Sequence, residues 1–536
     1  MPLGRLLLLF FVSGACGLVY QVVWMRALAL TLSVSVVAVT TTLCAFMAGL
    51  GLGAALAGRF ADRLDRPLLA FGLAEIGVGV TGVLSLAVLF DLGPVYAWLR
   101  TELVGAGVAL HVARFLLATS VLLVPTTLMG MTLPLLSRAA IDRREIVGRG
   151  AGGLYALNTL GAVAGAVAAG FWLVPDLGLR ATTLVAAGTN LAIGSAALLI
   201  GRRAQRRPAD PERNAALPAA AAGEGRPPVA ALAAAVGFGL SGFTAMGYEV
   251  LWTRALEQFT HNSTYAYTAM LATFLLGIGG GSAVAAWLAD RSRRPLAIFG
   301  WLELGIGASV VLGLLVYTQL LDWIPAAVEV AGGLGSWPRA VTLMFAVTAV
   351  TLLATTLLFG ATFPFVACAV VESVDAVGRR IAGAYVLNTA GSILGALLVG
   401  FVLLPGVGLR GSFAALVAAN LLLGAALVRM ATPGHARRAL AVAVAAFAAL
   451  LALVPSQLFR AIFEERYGKL LLYREQVTDI VMVTQDAGGG RMIRYGDGRG
   501  TAGTVTVRED RSYAHLALLL HPEPKRVLNI CFGVGN

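Results

Sequence analysis

From residue 6 to residue 455 the chain repeats one pattern, an apolar run of about 20 residues followed by a short polar loop. In the first half the runs lie near 6–26, 34–58, 68–90, 109–138, 150–174 and 181–201. In the second they lie near 229–253, 263–289, 296–318, 337–370, 380–404 and 411–429. A further run, 439–455, has 17 residues and sits at the lower limit for a span. Beyond it the pattern changes. "TDIVMVTQDAGGGRMIRYGDGRG" alternates polar and apolar residues, the period of β-strands joined by glycine turns. "SYAHLALLLHPEPK" then reads as helical and "RVLNICF" as a strand before a glycine-rich loop. The pattern predicts an all-α polytopic membrane protein of about 12–13 transmembrane helices with a short β-rich tail.

The two halves echo each other. "SGACGLVYQVVWMRAL" (13–28) returns as "SGFTAMGYEVLWTRAL" (241–256), and "YALNTLGAVAGA" (155–166) as "YVLNTAGSILGA" (385–396). "LMGMTLP" matches "LFGATFP", and "PDLGLR" matches "PGVGLR", at an offset of 228 early in the chain and 230 later. Collinear agreement of this length reads as a duplication, and six spans per copy make the repeats parallel. The expected organisation is 1–201 and 229–430 as six-helix repeats, 202–228 as a polar linker, 431–458 around a thirteenth helix, and 459–536 as the tail.

Charge refines this picture. Only 13% of residues are charged, against about 25% in ordinary globular proteins. The net charge of +12 comes from arginines clustered in short loops. Arg59, Arg63 and Arg66 follow span two, Arg138, Arg143, Arg144 and Arg149 span four, and Arg202, Arg203, Arg206 and Arg207 span six. Arg291, Arg293 and Arg294, then Arg379 and Arg380, then Arg429, Arg437 and Arg438 repeat the scheme. Basic loops stay in the cytoplasm, which puts the N-terminus and the linker there, in a bacterial inner membrane. The flanks of the run 439–455 are basic on both sides and leave the side of the tail open. No basic stripe with interleaved aromatics supports nucleic-acid binding. Cys16, Cys44, Cys368 and Cys531 have no metal or disulfide spacing. The first run could pass for a signal peptide, but its recurrence inside the chain marks it as a retained span.

Charged groups inside a bilayer cost about 2.5–3.5 kcal/mol or more, so the polar residues within spans stand out. Glu75 and Glu303 lie in span three of each half. Gln21 and Glu249 lie near the end of the first span of each half, beside Arg26 and Arg254. They form either a polar cavity for a cationic or proton-coupled solute or a set of structural pairs, Glu249 with Arg254 among them. Asn158, Asn388, Asn190 and Asn420 suit interhelical hydrogen bonds. No Ser-His-Asp or metal constellation emerges from the sequence.

"AGLGLGAALAGRFADRLDRP" (48–67) and "LGIGGGSAVAAWLADRSRRP" (276–295) combine close-packing glycines with an Asp-Arg loop after the second span. In these residues the chain resembles the major facilitator superfamily over roughly residues 1–430. The resemblance implies that Asp62 with Arg63 and Asp290 with Arg291 help gate the cytoplasmic mouth. The bland alternative is that the glycines only allow close packing and the charges only fix topology.

The tail, from "YREQVTDIVMV" through "YGDGRG" to "KRVLNICFGVGN", resembles the spermidine synthase family of polyamine aminopropyltransferases. By motif position the resemblance implies cosubstrate-binding roles for Gln476, Gly533 and Gly535, and substrate-binding roles for Tyr513 and Asp497. It implies decarboxylated S-adenosylmethionine or S-adenosylmethionine as cosubstrate in a full-length relative, and none bound by this chain alone. His515 and Thr501 depart from the family's Glu and Gln. No catalytic residue or metal is expected within this stretch, because the later part of the Rossmann-like fold is missing. The expectation is thus a fused membrane and spermidine synthase-like protein, catalytically incomplete, with the bilayer and a polyamine or small organic amine as partners. The rival expectation is a transporter of such solutes with a vestigial or regulatory tail.

Overall fold

The computed structural model describes residues 3–525 except 33–34, 92, 104–106, 142–145, 204–227, 261–263, 331, 334, 373–375, 477–478, 521 and 523–524. Most of the linker, the final strand and the loop glycines Gly533 and Gly535 therefore lie outside the described residues.

The first half contains α1 (Leu3–Leu32), α2 (Ser35–Phe60), α3 (Pro67–Asp91), α4 (Gly93–Glu102), α5 (Gly107–Ala140), α6 (Gly153–Ala168) and α7 (Gly178–Arg203). The second contains α8 (Pro228–Thr260), α9 (Thr264–Arg291), α10 (Pro295–Thr318), α11 (Leu320–Val330), α12 (Trp337–Val370), α13 (Val377–Leu398) and α14 (Leu404–Ala431). Then come α15 (Ala436–Leu453) and α16 (Leu458–Tyr467). Eleven helical stretches among the described residues are long and apolar enough to cross a membrane. Two of them, Gly148–Arg203 and Val377–Ala431, each hold two long helices, which gives thirteen long apolar helices among the described residues; the last stretch also takes in the ten-residue α16.

Helices dominate because lipid offers backbone groups no partners, so each segment must bond within itself. Proline starts several of them, as at Pro67 and Pro295, where its missing N–H costs nothing. π-helical turns at Ala169–Leu177 and Val399–Leu403 follow α6 and α13. The chain then reverses at Gly178 and Gly408, whose φ angles of 77° and 72° disfavour any side chain. This explains the glycine shared by "PDLGLR" and "PGVGLR".

Several sequence expectations need correction. α1 and α8 continue to Leu32 and Thr260, past the apolar runs ending at 26 and 253, because helical bonding extends through Arg254, Glu257 and Gln258. The apolar runs do not predict the short helices α4 and α11. In α11 Leu320 is buried while Trp323 is half exposed, an amphipathic pattern too short to read as a span.

The tail holds β1 (Lys469–Glu475), β2 (Ile480–Gln485), β3 (Arg491–Tyr495) and β4 (Gly500–Gly503) in one antiparallel meander, followed by α17 (Val507–Leu519). One face of the sheet, Leu470, Ile480 and Met482, packs on Phe463 of α16. Leu458, Phe459 and Ile462 of α16 are buried in the apolar cluster of the second half, with Tyr248, Tyr317 and Phe413.

Candidate functional site

A mostly apolar cavity of about 220 Å³ lies between the halves, with walls from α1, α2, α5 and α6 on one side and α8, α9, α12 and α13 on the other. Gln21 of α1 and Glu249 of α8 both line it, each only 7% exposed. No hydrogen bond or ion pair to the Glu249 carboxylate is found among the described residues; Tyr267 of α9 lies within its field. The expected pairing of Glu249 with Arg254 is not what forms. Arg254 Nη1 instead stands 3.8 Å from Glu257 Oε2, three residues on. Residues three apart share a helix face, whereas five apart point about 140° away from each other. Arg26, the counterpart in α1, has a buried Nε with no hydrogen bond among the described residues.

Glu75 and Glu303 lie behind this wall, not in it. Ser13 Oγ donates to Glu75 Oε1 at 2.5 Å and Asn190 Nδ2 to Oε2 at 2.6 Å. In the second half Asn420 Nδ2 donates to Glu303 Oε2 at 2.6 Å, and Ser241 stands beside the same carboxyl. The other oxygen of Glu303 makes no well-formed hydrogen bond. Ser13 and Ser241 line the cavity while the two carboxyls are fully buried. Asn158 and Asn388 donate to the carbonyls of Phe10 and Phe238, at 3.1 and 2.8 Å. These groups tie each half together internally.

The Asp-Arg loops do the opposite and tie one half to the other. Asp62 accepts the N–H groups of Gly378 and Arg379, both at 2.8 Å. Asp290 accepts those of Gly148 and Arg149, at 2.6 and 3.1 Å, and pairs with Arg149 Nε at 2.9 Å. Each carboxylate thus caps the start of the fifth span of the other half, where free N–H groups and the helix dipole favour an anion. The aspartates were legible as gate candidates; Arg63 and Arg291 are not the partners. Arg291 stacks on Trp287 instead.

Three of the family-matched residues of the tail, Gln476, Tyr513 and Asp497, lie among the described residues. Gln476 is exposed and its N–H bonds Asp479 O at 2.9 Å. Tyr513 is 74% exposed on α17. Asp497 is buried, with its Oδ2 2.8 Å from Arg499 Nε. It lies near Glu257 of α8 and Asp479, close enough for their charges to interact. Burial pushes the Asp479 carboxyl above the usual range, although the N–H groups of Gly496 and Ile480 and the Arg254 charge oppose this.

The fold is major-facilitator-like. A bacterial homologue of the iron transporter ferroportin, crystallised in an outward-facing state, superposes with a TM-score of 0.53 at 15% identity, covering 80% of this chain and 98% of that one. The same homologue with soaked iron gives 0.52 at 13% identity, covering 81% and 100%. Among curated proteins, polyamine aminopropyltransferase 2 of Streptomyces coelicolor is 30% identical over 203 residues, 37% of this chain and 34% of that protein. The polyamine aminopropyltransferase of Mycobacterium tuberculosis (strain H37Rv) is 32% identical over 183 residues, 33% of this chain and 32% of that protein. The chain thus matches about a third of the length of these relatives. No protein-family profile matches the chain.

Proposed function

We propose that the protein is a carrier of small organic cations, polyamines foremost, in a bacterial inner membrane, built from two duplicated halves that rock about the central cavity. One observation carries this reading: Glu249, a buried carboxylate with no partner among the described residues, lines a cavity whose other walls are mostly apolar. An ammonium group supplies the missing charge, and the apolar walls suit a methylene chain. A cavity of about 220 Å³ admits a diamine more readily than a bulky solute. The swapped aspartate clasps support an alternating-access cycle, because they join the halves at one end only. The amine chemistry of the two aminopropyltransferase relatives supports the choice of solute. In this reading the tail is an aminopropyltransferase-like module fixed beside the carrier. The test is uptake of labelled putrescine into proteoliposomes: saturable uptake is expected, and a rate equal to protein-free liposomes overturns the reading.

A second reading rests on the same relatives. In it the protein transfers an aminopropyl group and the membrane body anchors the transferring part. Spermidine formed from putrescine and decarboxylated adenosylmethionine by the purified chain would establish it.

A further inference from the structure

The contacts of the helix ends sort the molecule into two faces. At one end lie the termini of α2 and α5 and the start of α13, joined through Asp62, Arg138 and Gly378. The end of α9 and the start of the π-helical turn Gly148–Gly152, which leads into α6, join there through Asp290 and Gly148. The basic loops belong to this end. At the other lie the ends of α8 and α10 and the start of α14, and there the tail is fixed. Arg466 Nη1 donates to Gln258 O at 2.7 Å. Glu475 accepts the N–H of Leu409, just past the Gly408 turn. Phe459 packs on Tyr317 and Phe413, with ring centroids 5.4 and 6.2 Å apart.

α15 connects the two faces. It starts at Arg437 and Arg438, beside the basic end, and its 18 residues rise about 27 Å, close to the thickness of a hydrocarbon core. Ala439, Ala443 and Leu450 are buried against the second half, while Leu440, Val444 and Leu451 point outward and are more than half exposed. At its far end Arg410 Nη2 donates to Val454 O at 3.0 Å. This is a crossing helix packed on one side and suited to lipid on the other.

We propose that α15 carries the tail across the membrane, so that the sheet and α17 face the non-cytoplasmic compartment, fixed to the second half and moving with it. The basic loops fix the cytoplasmic face, and the tail sits on the opposite one. Any amine the tail meets is then an extracytoplasmic one, on the side away from the cytosolic supply of nucleoside cosubstrates. This inference does not rest on the solute carried by the cavity, and its test uses no transport.

Single cysteines are placed at Ala487, in the exposed β2–β3 turn, and at Arg293, in a basic loop, with the four native cysteines replaced by serine. Spheroplasts are treated with a membrane-impermeant maleimide before and after permeabilisation. Ala487→Cys is expected to label at least tenfold faster than Arg293→Cys in intact spheroplasts, and equally after permeabilisation. Labelling of Ala487→Cys only after permeabilisation, or of both alike from outside, overturns the proposal. Trypsin added to spheroplasts bearing the unaltered protein gives a second readout. Cleavage near Arg508 and Arg511 is expected from outside, and protection of the tail until lysis overturns the proposal.

Discussion

The carboxylate of Asp62 accepts the backbone N–H of Gly378 at 2.8 Å, across 316 residues of sequence and from one half of the molecule to the other. Asp290 and Gly148 make the reciprocal bond at 2.6 Å. A carboxylate at a helix start contributes about 0.3–1 kcal/mol when exposed and up to about 2 kcal/mol when partly buried. In the carrier proposed above, two such clasps would bias the rocking equilibrium without freezing it.

Replacing both aspartates by alanine should therefore open the basic end. A cysteine at Ser392, a buried residue lining the cavity, is expected to react severalfold faster with maleimide applied from the basic side in Asp62→Ala/Asp290→Ala than in the parent. An unchanged rate removes the gating role and leaves the aspartates as packing elements.

Glu75 should behave as a structural residue. Glu75→Ala strands the Ser13 and Asn190 donors in a buried site, at about 1–3 kcal/mol for each unsatisfied group. Thermal unfolding in detergent should shift down, and Asn190→Ala in the same background should add less than its separate effect, because the two share one network. Full additivity would show that the network does not act as a unit.

Much of this was legible in the sequence. The apolar runs located the spans, the alternation over 478–500 located β2 and β3, and the halves aligned Ser13 with Ser241 and Glu75 with Glu303. What remained hidden has a common cause. Helices packed on most sides carry little periodic signal, so the run around Glu75 did not reveal that it faces away from the cavity while Glu249 faces it. The clasps join positions some 140 and 316 residues apart and depend on backbone N–H groups, which leave no side-chain mark. The π-helical turns, α4 and α11 depend on local packing in the same way.

Asp479 gives the tail a pH dependence. Its carboxyl is raised mainly by burial, amid Glu257, Asp497, Arg254 and Arg499. A carboxyl raised in the folded state holds its proton more tightly there than in the unfolded chain. Its contribution thus favours docking at low pH and is lost as pH climbs from the ordinary carboxylate range through the raised value. Hydrogen exchange of β2 and β3 should speed up across that window in the parent, and Asp479→Asn, which keeps the acceptor for Ile480 and Gly496, should flatten the profile. An Asp479→Asn profile identical to the parent's contradicts the assignment.

The Gly408 turn should control tail attachment. A side chain at φ 72° and ψ 176°, a region essentially restricted to glycine, costs about 1–3 kcal/mol, and a Cβ there would press on Glu475 Oε2. Gly408→Ala is expected to quicken proteolysis of the tail beyond α15 severalfold. Unaltered digestion would show that other contacts hold the tail unaided.

The measurement closest to the central claim is putrescine uptake by Glu249→Gln alone and combined with Gln21→Glu. These two positions face the same cavity from opposite halves, so the double variant moves the single carboxylate across it. Uptake should fall at least tenfold in Glu249→Gln and return in part in the double variant. Uptake at the parent rate in Glu249→Gln would contradict a cation held by that carboxylate.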